Sequence, residues 1–192
     1  MGKLGFYFDM TACIGCRTCH IACKDRNDLD VGAIFRTVRN FETGTFPKPG
    51  SYNYSSSCNH CEEAKCMKNC PTGAMHKGDD GTVQHDPDLC IGCQYCIWNC
   101  PYGAPVYFEE LGRVGKCDSC KTLREAGQNP ACVDACPMRC LKFGDLDELT
   151  AQYGNDLVKE LPILVSQQIT KPSILIKPKS SALDGNFREK DV

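Results

Sequence analysis

The chain has 192 residues, room for one compact unit or two small ones, and 22 Lys and Arg against 24 Asp and Glu leave a net charge of −2. That balance gives no electrostatic case for nucleic acid. The apolar runs are far too short for a membrane span, and the first residues do not read as a signal peptide, so a membrane link is expected only through a partner. Leu, Ile, Val and Phe number 39, at the edge of what builds a purely hydrophobic core, while Cys numbers 17. Something bound to cysteine is expected to replace part of the missing core.

In chain order, Phe6–Asp9 reads as a strand feeding a first cysteine group, Cys13, Cys16, Cys19 and Cys23. Residues 24–57 form a connector with a predicted strand at Ile34–Glu42, then Gly44, Pro47, Pro49 and Gly50 as turn punctuation. Group two is Cys58, Cys61, Cys66 and Cys70, leaving through Pro71-Thr72-Gly73-Ala74. A second strand at Val83–Asp86 feeds group three, Cys90, Cys93, Cys96 and Cys100, which leaves through Pro101-Tyr102-Gly103-Ala104. Both strands thus lead into the same Cys-Ile-Gly-Cys loop, where Gly15 and Gly92 let the backbone come close to whatever is bound. After a connector at 105–116 comes group four, Cys117, Cys120, Cys132 and Cys136. Its inserted residues 121–131 are rich in Lys, Arg, Glu and Gly and read as an exposed loop. Its exit, Pro137-Met138-Arg139-Cys140, aligns Cys140 with Ala74 and Ala104 and predicts a small buried residue there. Asp145–Leu149 predicts an N-capped helix. Ser173–Ile176, between Pro172 and Pro178, predicts a short strand or extended arm, and Ser181–Val192 is expected to be mobile unless docked.

Three chemistries compete for the cysteines. Disulfides suit an even count in a short secreted chain, whereas this count is odd and each C-x2-C-x2-C run places three sulfurs on one loop. Zinc uses two C-x2-C pairs per ion, and a third and fourth cysteine in the same run is foreign to it. Iron–sulfur cubanes take four thiolates, and C-x2-C-x2-C-x3-C-P is their bacterial ferredoxin run. Group three matches it fully, with Pro101 after Cys100; Pro71 and Pro137 close groups two and four, while Lys24 follows Cys23 in group one. In two-cluster ferredoxins the fourth cysteine of a run ligates the other cluster, so four groups make two interlocked pairs and four 4Fe–4S clusters. These add a charge of about −8 to the protein, to be tempered by backbone N–H groups and nearby Lys or Arg.

No catalytic constellation is present: Ser55-Ser56-Ser57 lacks a nucleophile-elbow context, and there is no Gly-rich phosphate loop. His20, His60, His76 and His85 lie near the cysteine loops and are expected to support them or face solvent rather than bind iron. Trp98 and Tyr102 are expected to pack over their own cluster, with Trp98 at a partner interface as the alternative. Arg17, Lys24 and Lys65 are candidates for tuning cluster potential or solvating a helix face.

The order of the groups, with Ser57-Cys58-Asn59-His60-Cys61, Cys70-Pro71-Thr72-Gly73-Ala74-Met75-His76-Lys77, Cys93-Gln94-Tyr95-Cys96 and Cys100-Pro101-Tyr102-Gly103-Ala104-Pro105, resembles the iron–sulfur subunits of anaerobic dimethyl sulfoxide reductases over residues 4–180. The cysteine frame alone is also similar to that of the electron-transfer subunits of nitrate, polysulfide, thiosulfate and tetrathionate reductases and of formate dehydrogenases. The resemblance implies that groups one and four interlock, as do groups two and three. The four ligand sets are then Cys13, Cys16, Cys19 and Cys136; Cys117, Cys120, Cys132 and Cys23; Cys58, Cys61, Cys66 and Cys100; and Cys90, Cys93, Cys96 and Cys70. In nitrate reductase relatives a Trp matches Cys93 and the centre is 3Fe–4S, so Cys93 implies a full cubane here.

The implied fold is α+β, two fused ferredoxin-like units with long loops. Residues 1–57 and 105–145 would form unit one, 58–104 an inserted unit two, and 146–192 a C-terminal helix and arm. The implied role is non-catalytic: electrons pass from a hydrophobic membrane-anchor subunit with a quinol site to a molybdopterin catalytic subunit reducing dimethyl sulfoxide or a related S- or N-oxide. The group-one cluster would face the molybdopterin subunit and the group-three cluster the anchor, at the periplasmic face of the membrane or, alternatively, the cytoplasmic one. Two other readings stay open: the same relay for another partner, such as polysulfide or thiosulfate reductase, formate dehydrogenase or hydrogenase, and a zinc-binding interaction module.

Overall fold

The computed structural model describes residues 2–154 and 156–190; Met1, Asn155, Asp191 and Val192 lie outside the described residues, as do the parts of the expected first unit and C-terminal arm that fall on them. The elements in chain order are β1 (Leu4–Asp9), α1 (Thr18–Arg26), β2 (Thr37–Thr43), β3 (Gly50–Ser56), α2 (Lys65–Lys68), β4 (Met75–Lys77), β5 (Val83–His85), α3 (Tyr95–Asn99), β6 (Val106–Phe108), β7 (Arg113–Gly115), α4 (Lys121–Glu125), α5 (Ala131–Asp134), β8 (Leu141–Asp145), α6 (Leu146–Tyr153), β9 (Ile174–Lys177), a 3₁₀ turn (Ser180–Leu183) and β10 (Phe187–Lys190). The class is α+β, as expected, with short helices and strands joined by long loops.

The strand β1 is central to one sheet, antiparallel to β8 and parallel to β9. Being covered on both faces, it is apolar without alternation. Phe6 and Phe8 point into the main core with Met10, Tyr54 and Ile176, while Tyr7 points the other way into Leu146, Leu149 and Leu175. Each fully buried aromatic here contributes about 2–3 kcal/mol of burial. The helix α6 covers the Tyr7 face. It starts as its sequence expects: Asp145 Oδ1 accepts from the amides of Asp147 (2.9 Å) and Glu148 (3.3 Å), satisfying two N–H groups that lack helical partners. A second sheet has the order β10-β2-β3, and β4–β5 and β6–β7 are separate hairpins.

Four helices, α2 to α5, have only four or five residues. Such lengths do not hold in water by hydrogen bonding alone. They depend on what their cysteines face.

Several local expectations are corrected. The strand expected at Ile34–Glu42 is β2, which starts at Thr37 and runs to Thr43. Residues before it are held irregular by Lys24 Nζ on the Ala33 carbonyl (3.0 Å) and by the inward turn of Arg36, which is 2% exposed. The 105–116 connector is a β-hairpin. The expected loop at 121–131 contains α4, and its Arg124 is largely buried, pairing with Asp80 at 2.7 Å. Residues 181–190 are docked: Ala182 is fully buried, β10 pairs with β2, and Arg39 pairs with Glu189.

Candidate iron–sulfur centres

The local backbone explains why each cysteine loop closes. Gly15 and Gly92 occupy matching places with φ of +72° and +67°, and Arg17 and Gln94 after them share φ of +61° and +62°. This repeated left-handed path turns the loop back on itself and starts α1 and α3 at the third cysteine of each group. Side chains are excluded at both glycines: a Cβ would fall 2.9 Å from Asn53 Oδ1 at Gly15 and 2.2 Å from the Gly112 carbonyl at Gly92.

The loops line three cavities of nearly equal empty volume, each partly open to solvent. One of ≈ 310 Å³ is lined by Cys13, Cys16, Cys19 and Cys136, with Cys140. One of ≈ 320 Å³ is lined by Cys58, Cys61, Cys66 and Cys100. One of ≈ 300 Å³ is lined by Cys70, Cys90, Cys93 and Cys96. The remaining four, Cys23, Cys117, Cys120 and Cys132, are all buried where α1 packs on α5. Their thiols feel one another: burial, then the neighbouring Cys132 thiol, pushes Cys23 up to about 12, and burial followed by Cys58, Cys23 and Cys132 pushes Cys117 well above the usual thiol range.

The four sets of thiols are linked one to the next by packing. The helices α2 and α3 pack together; each carries a cysteine of one set (Cys66, Cys96) and is followed by a cysteine of the other (Cys70, Cys100). Cys58 and Cys117 share a small apolar cluster with Ala104, which joins the Cys58 set to the Cys117 set. The helix α1 carries Cys19 and Cys23, linking the Cys117 set to the Cys13 set.

Hydrogen bonds lower the Cys13 and Cys70 thiols, but burial disfavours the thiolate at deeper positions, raising Cys61 and Cys96 to about 11 and Cys66 to about 12. A bound cation must therefore supply the charge that makes these sulfurs anionic. Hydrogen bonds already point at several of them. The amides of Met75 and Ala104 donate to Cys70 and Cys100 at 3.5 Å, the Ser119 amide to Cys117 at 3.3 Å, and the Thr18 hydroxyl to Cys16 at 3.3 Å.

Two buried cations complete the environment, and neither stands out in the sequence. Arg36 donates to Ser55 Oγ (3.0 Å) and Ser57 Oγ (2.8 Å), lies over the Phe6 ring, and leaves its Nε without a partner. Burial disfavours its charge, but the sulfurs of Cys132, Cys117, Cys19 and Cys23, when ionised, outweigh that and favour the charged form. Lys116 is 6% exposed and donates only to carbonyls, of Val83 and of Cys117 (2.8 Å). Neither is paired with a carboxylate among the described residues. Unpaired buried cations are costly, and anionic clusters beside them offset that cost. The donors thus fit 4Fe–4S clusters.

The other candidates separate. Tyr102 lines the Cys58 cavity, as expected, and its hydroxyl meets Thr170 Oγ1 at 2.8 Å. Trp98 does not cover its own cavity: it is 73% exposed and leans on Tyr95. It sits on the outward face of a five-residue helix that turns Cys96 inward, leaving no apolar wall for the indole. Lys24 ties down the 30–33 backbone, Arg17 lines the Cys13 cavity and Lys65 the Cys58 cavity. His60 is buried, accepting the Val83 N–H at Nδ1 (3.1 Å), and burial holds its pKa well down; His85 lines the Cys70 cavity, while His76 is exposed and His20 half-buried.

Among the described residues no helix is long and apolar enough to cross a membrane. Residues 51–146 match the 4Fe-4S dicluster domain family, and residues 10–28 match a 4Fe-4S binding domain. The sequence is 45% identical over 188 residues to the B subunit of anaerobic dimethyl sulfoxide reductase from Escherichia coli K12, covering 94% of this chain and 91% of that subunit. It is 42% identical over 191 residues to the corresponding subunit from Haemophilus influenzae, covering 95% and 92%. With protein NrfC of Escherichia coli K12 it shares 39% over 163 residues, covering 83% and 73%. The cofactors are four 4Fe–4S clusters, and the chain belongs to the family of anaerobic dimethyl sulfoxide reductase B subunits, the iron–sulfur electron-transfer subunits of such complexes.

Proposed function

We propose that this subunit conducts electrons one at a time from a quinol-oxidising membrane anchor to a molybdopterin catalytic subunit that reduces dimethyl sulfoxide or a related S- or N-oxide. The observation that carries the reading is the linked series of four thiol sets, each joined to the next by a shared helix or a shared packing cluster. When bound, the clusters supply reversible one-electron redox chemistry. The chain's own residues fix their spacing, shield them from water and set their charge environment.

The ligand sets in this reading are Cys13, Cys16, Cys19 and Cys136; Cys23, Cys117, Cys120 and Cys132; Cys58, Cys61, Cys66 and Cys100; and Cys70, Cys90, Cys93 and Cys96. Residues 58–104 form a unit inserted between 1–57 and 105–145, with 146–192 as the closing arm. Both ends of this series carry exposed apolar side chains. Ile14 is 62% exposed beside Cys16, and Ile91 is 66% exposed, with Trp98 and Tyr95 also open. Such side chains suit partner docking, the Ile14 end toward the catalytic subunit and the Ile91 end toward the anchor. The subunit is thereby held at the membrane by its anchor, at the periplasmic face.

The test is anaerobic purification of the native complex from membranes, with mass spectrometry of every co-purifying chain. A molybdopterin subunit together with a hydrophobic anchor is expected. Recovery with a hydrogenase or a soluble dehydrogenase would refute this partner pair. A Cys93→Ser variant of the complex is expected to show a 3Fe–4S paramagnetic signal; an unchanged spectrum would refute the ligand role of Cys93.

A further inference from the structure

The exits of groups two, three and four fold the same way three times. The amide three residues past the last cysteine donates to that cysteine's carbonyl: Gly73 to Cys70 (3.4 Å), Gly103 to Cys100 (3.2 Å) and Arg139 to Cys136 (3.1 Å). All three donors are left-handed, with φ of +73°, +61° and +52°. Arg139 adopts this path without being glycine, so the geometry is imposed by the turn and not by local freedom. The next residue therefore lands at one equivalent place, held by Ala74, Ala104 and Cys140. All three are buried, and each lines the wall of its own thiol cavity.

Two of these positions offer a methyl group and the third offers a sulfur. Cys140 Sγ lies 3.3 Å from Cys136 Sγ, and Cys13, Cys16 and Cys19 line the same cavity. That cavity therefore presents five thiols to a group with four iron corners. We propose that Cys140 is a reserve ligand of the group-one cluster, able to take the iron corner held by Cys136. The inference rests on the reading of Cys13, Cys16, Cys19 and Cys136 as one ligand set. In the exchange the bond from iron to Cys136 would break, that thiolate leaving with its electron pair and taking up a proton, while the Cys140 S–H bond breaks and releases one, so the net proton count is unchanged. The sulfur's electron pair forms the new Fe–S bond at the corner left by Cys136, and no iron changes oxidation state. The turn geometry places the replacement sulfur on the same side of the cavity as the one it replaces, so the loop need not be rebuilt.

The experiment uses the purified complex with Cys136→Ala, Cys140→Ala, the double variant, and Cys100→Ala as the control whose exit ends in Ala104. Iron and acid-labile sulfide are counted, and paramagnetic spectra of the reduced and oxidised protein are recorded. Both single variants at group one are expected to keep the full complement of about 16 iron. The double variant and Cys100→Ala are each expected to lose one to about four iron, or to show a 3Fe–4S signal. The signals of the other three clusters report that each protein has folded. A Cys136→Ala variant as damaged as the double, or iron loss on Cys140→Ala alone, would overturn the proposal. A double variant with all its iron would instead overturn the underlying ligand set. A second test is independent of the group-one fold: adding Ala104→Cys to Cys100→Ala is expected to restore the lost iron, and failure to do so would count against this position as a ligand site.

Discussion

Arg36 offers the sharpest test of how the protein sets cluster potential. Its guanidinium is 3.0 Å from Ser55 Oγ, and that oxygen is a further 3.5 Å from Cys19 Sγ, so the charge lies within 6.5 Å of a proposed ligand sulfur. With an effective dielectric of about 20, a unit charge at that distance is worth about 2.5 kcal/mol to an added electron, or ~100 mV. Because the electron spreads over the cluster beyond the sulfur, ~50–100 mV is the expected shift. Removing the positive charge makes reduction harder, so Arg36→Met should move the affected potentials downward. The Cys13 and Cys117 sets, whose thiols face this guanidinium, should shift most, and the Cys70 set least. Arg36→Lys keeps the charge and should recover most of the shift. The assay is a redox titration of the complex followed by electron paramagnetic resonance, with iron content as the control for cluster loss. All potentials within ~20 mV of the parent in Arg36→Met would refute the reasoning, as would an equal shift in Arg36→Lys.

Phe8→Ala empties a fully buried site on the central strand and should cost about 3–5 kcal/mol, read by denaturant unfolding; a loss below about 1 kcal/mol would show that the core collapses around the gap. For Asp80, burial acts to raise the carboxyl, but the Thr82 hydroxyl and amide and the Arg124 guanidinium outweigh it and hold the pKa at about 2. Its folded pKa is depressed, so its contribution to stability is present above the ordinary value near 3.9 and fades as pH falls toward 2. After allowance for solvent screening, Asp80→Asn should cost about 1 kcal/mol at pH 7 and little at pH 2, measured by melts across that range; a pH-independent cost would refute the ion pair's role. Stripping the iron should abolish much of the circular-dichroism helix signal, since α2 to α5 are too short to persist without what their cysteines hold; an unchanged spectrum would contradict this.

What is legible in the sequence is whatever repeats. Sixteen cysteines in four spaced groups, the paired strands before groups one and three, and the three matching exits all announce themselves by period. The cap at Asp145 is equally readable, because one side chain and the next two amides settle it. Arg36 and Lys116 are invisible there, since a lone basic residue between strands has no spacing to mark it; burial and the absence of a carboxylate among the described residues single them out only in three dimensions. Arg17, Lys24 and Lys65 draw notice by standing near cysteines in sequence, yet Lys24 serves its own connector. The 121–131 stretch reads as solvent-facing by composition, and nothing local reveals that Arg124 reaches Asp80 across 44 positions. Trp98 is misjudged for the converse reason: its type favours burial, but its helix spends the inward face on sulfur.

The place of β9 bears on how such a protein is made. Its partner β1 precedes every cysteine, and β9 follows all of them, supplying Ile176 to the same core that walls the group-one cavity. While the chain is being synthesised, β1 therefore waits with an open edge until residues 174–177 have emerged. Iron–sulfur insertion at the Cys13 set would thus be secured only in a chain synthesised at least that far, and one broken off earlier would expose a naked strand edge and loosely held metal, both marks that quality-control proteases can recognise.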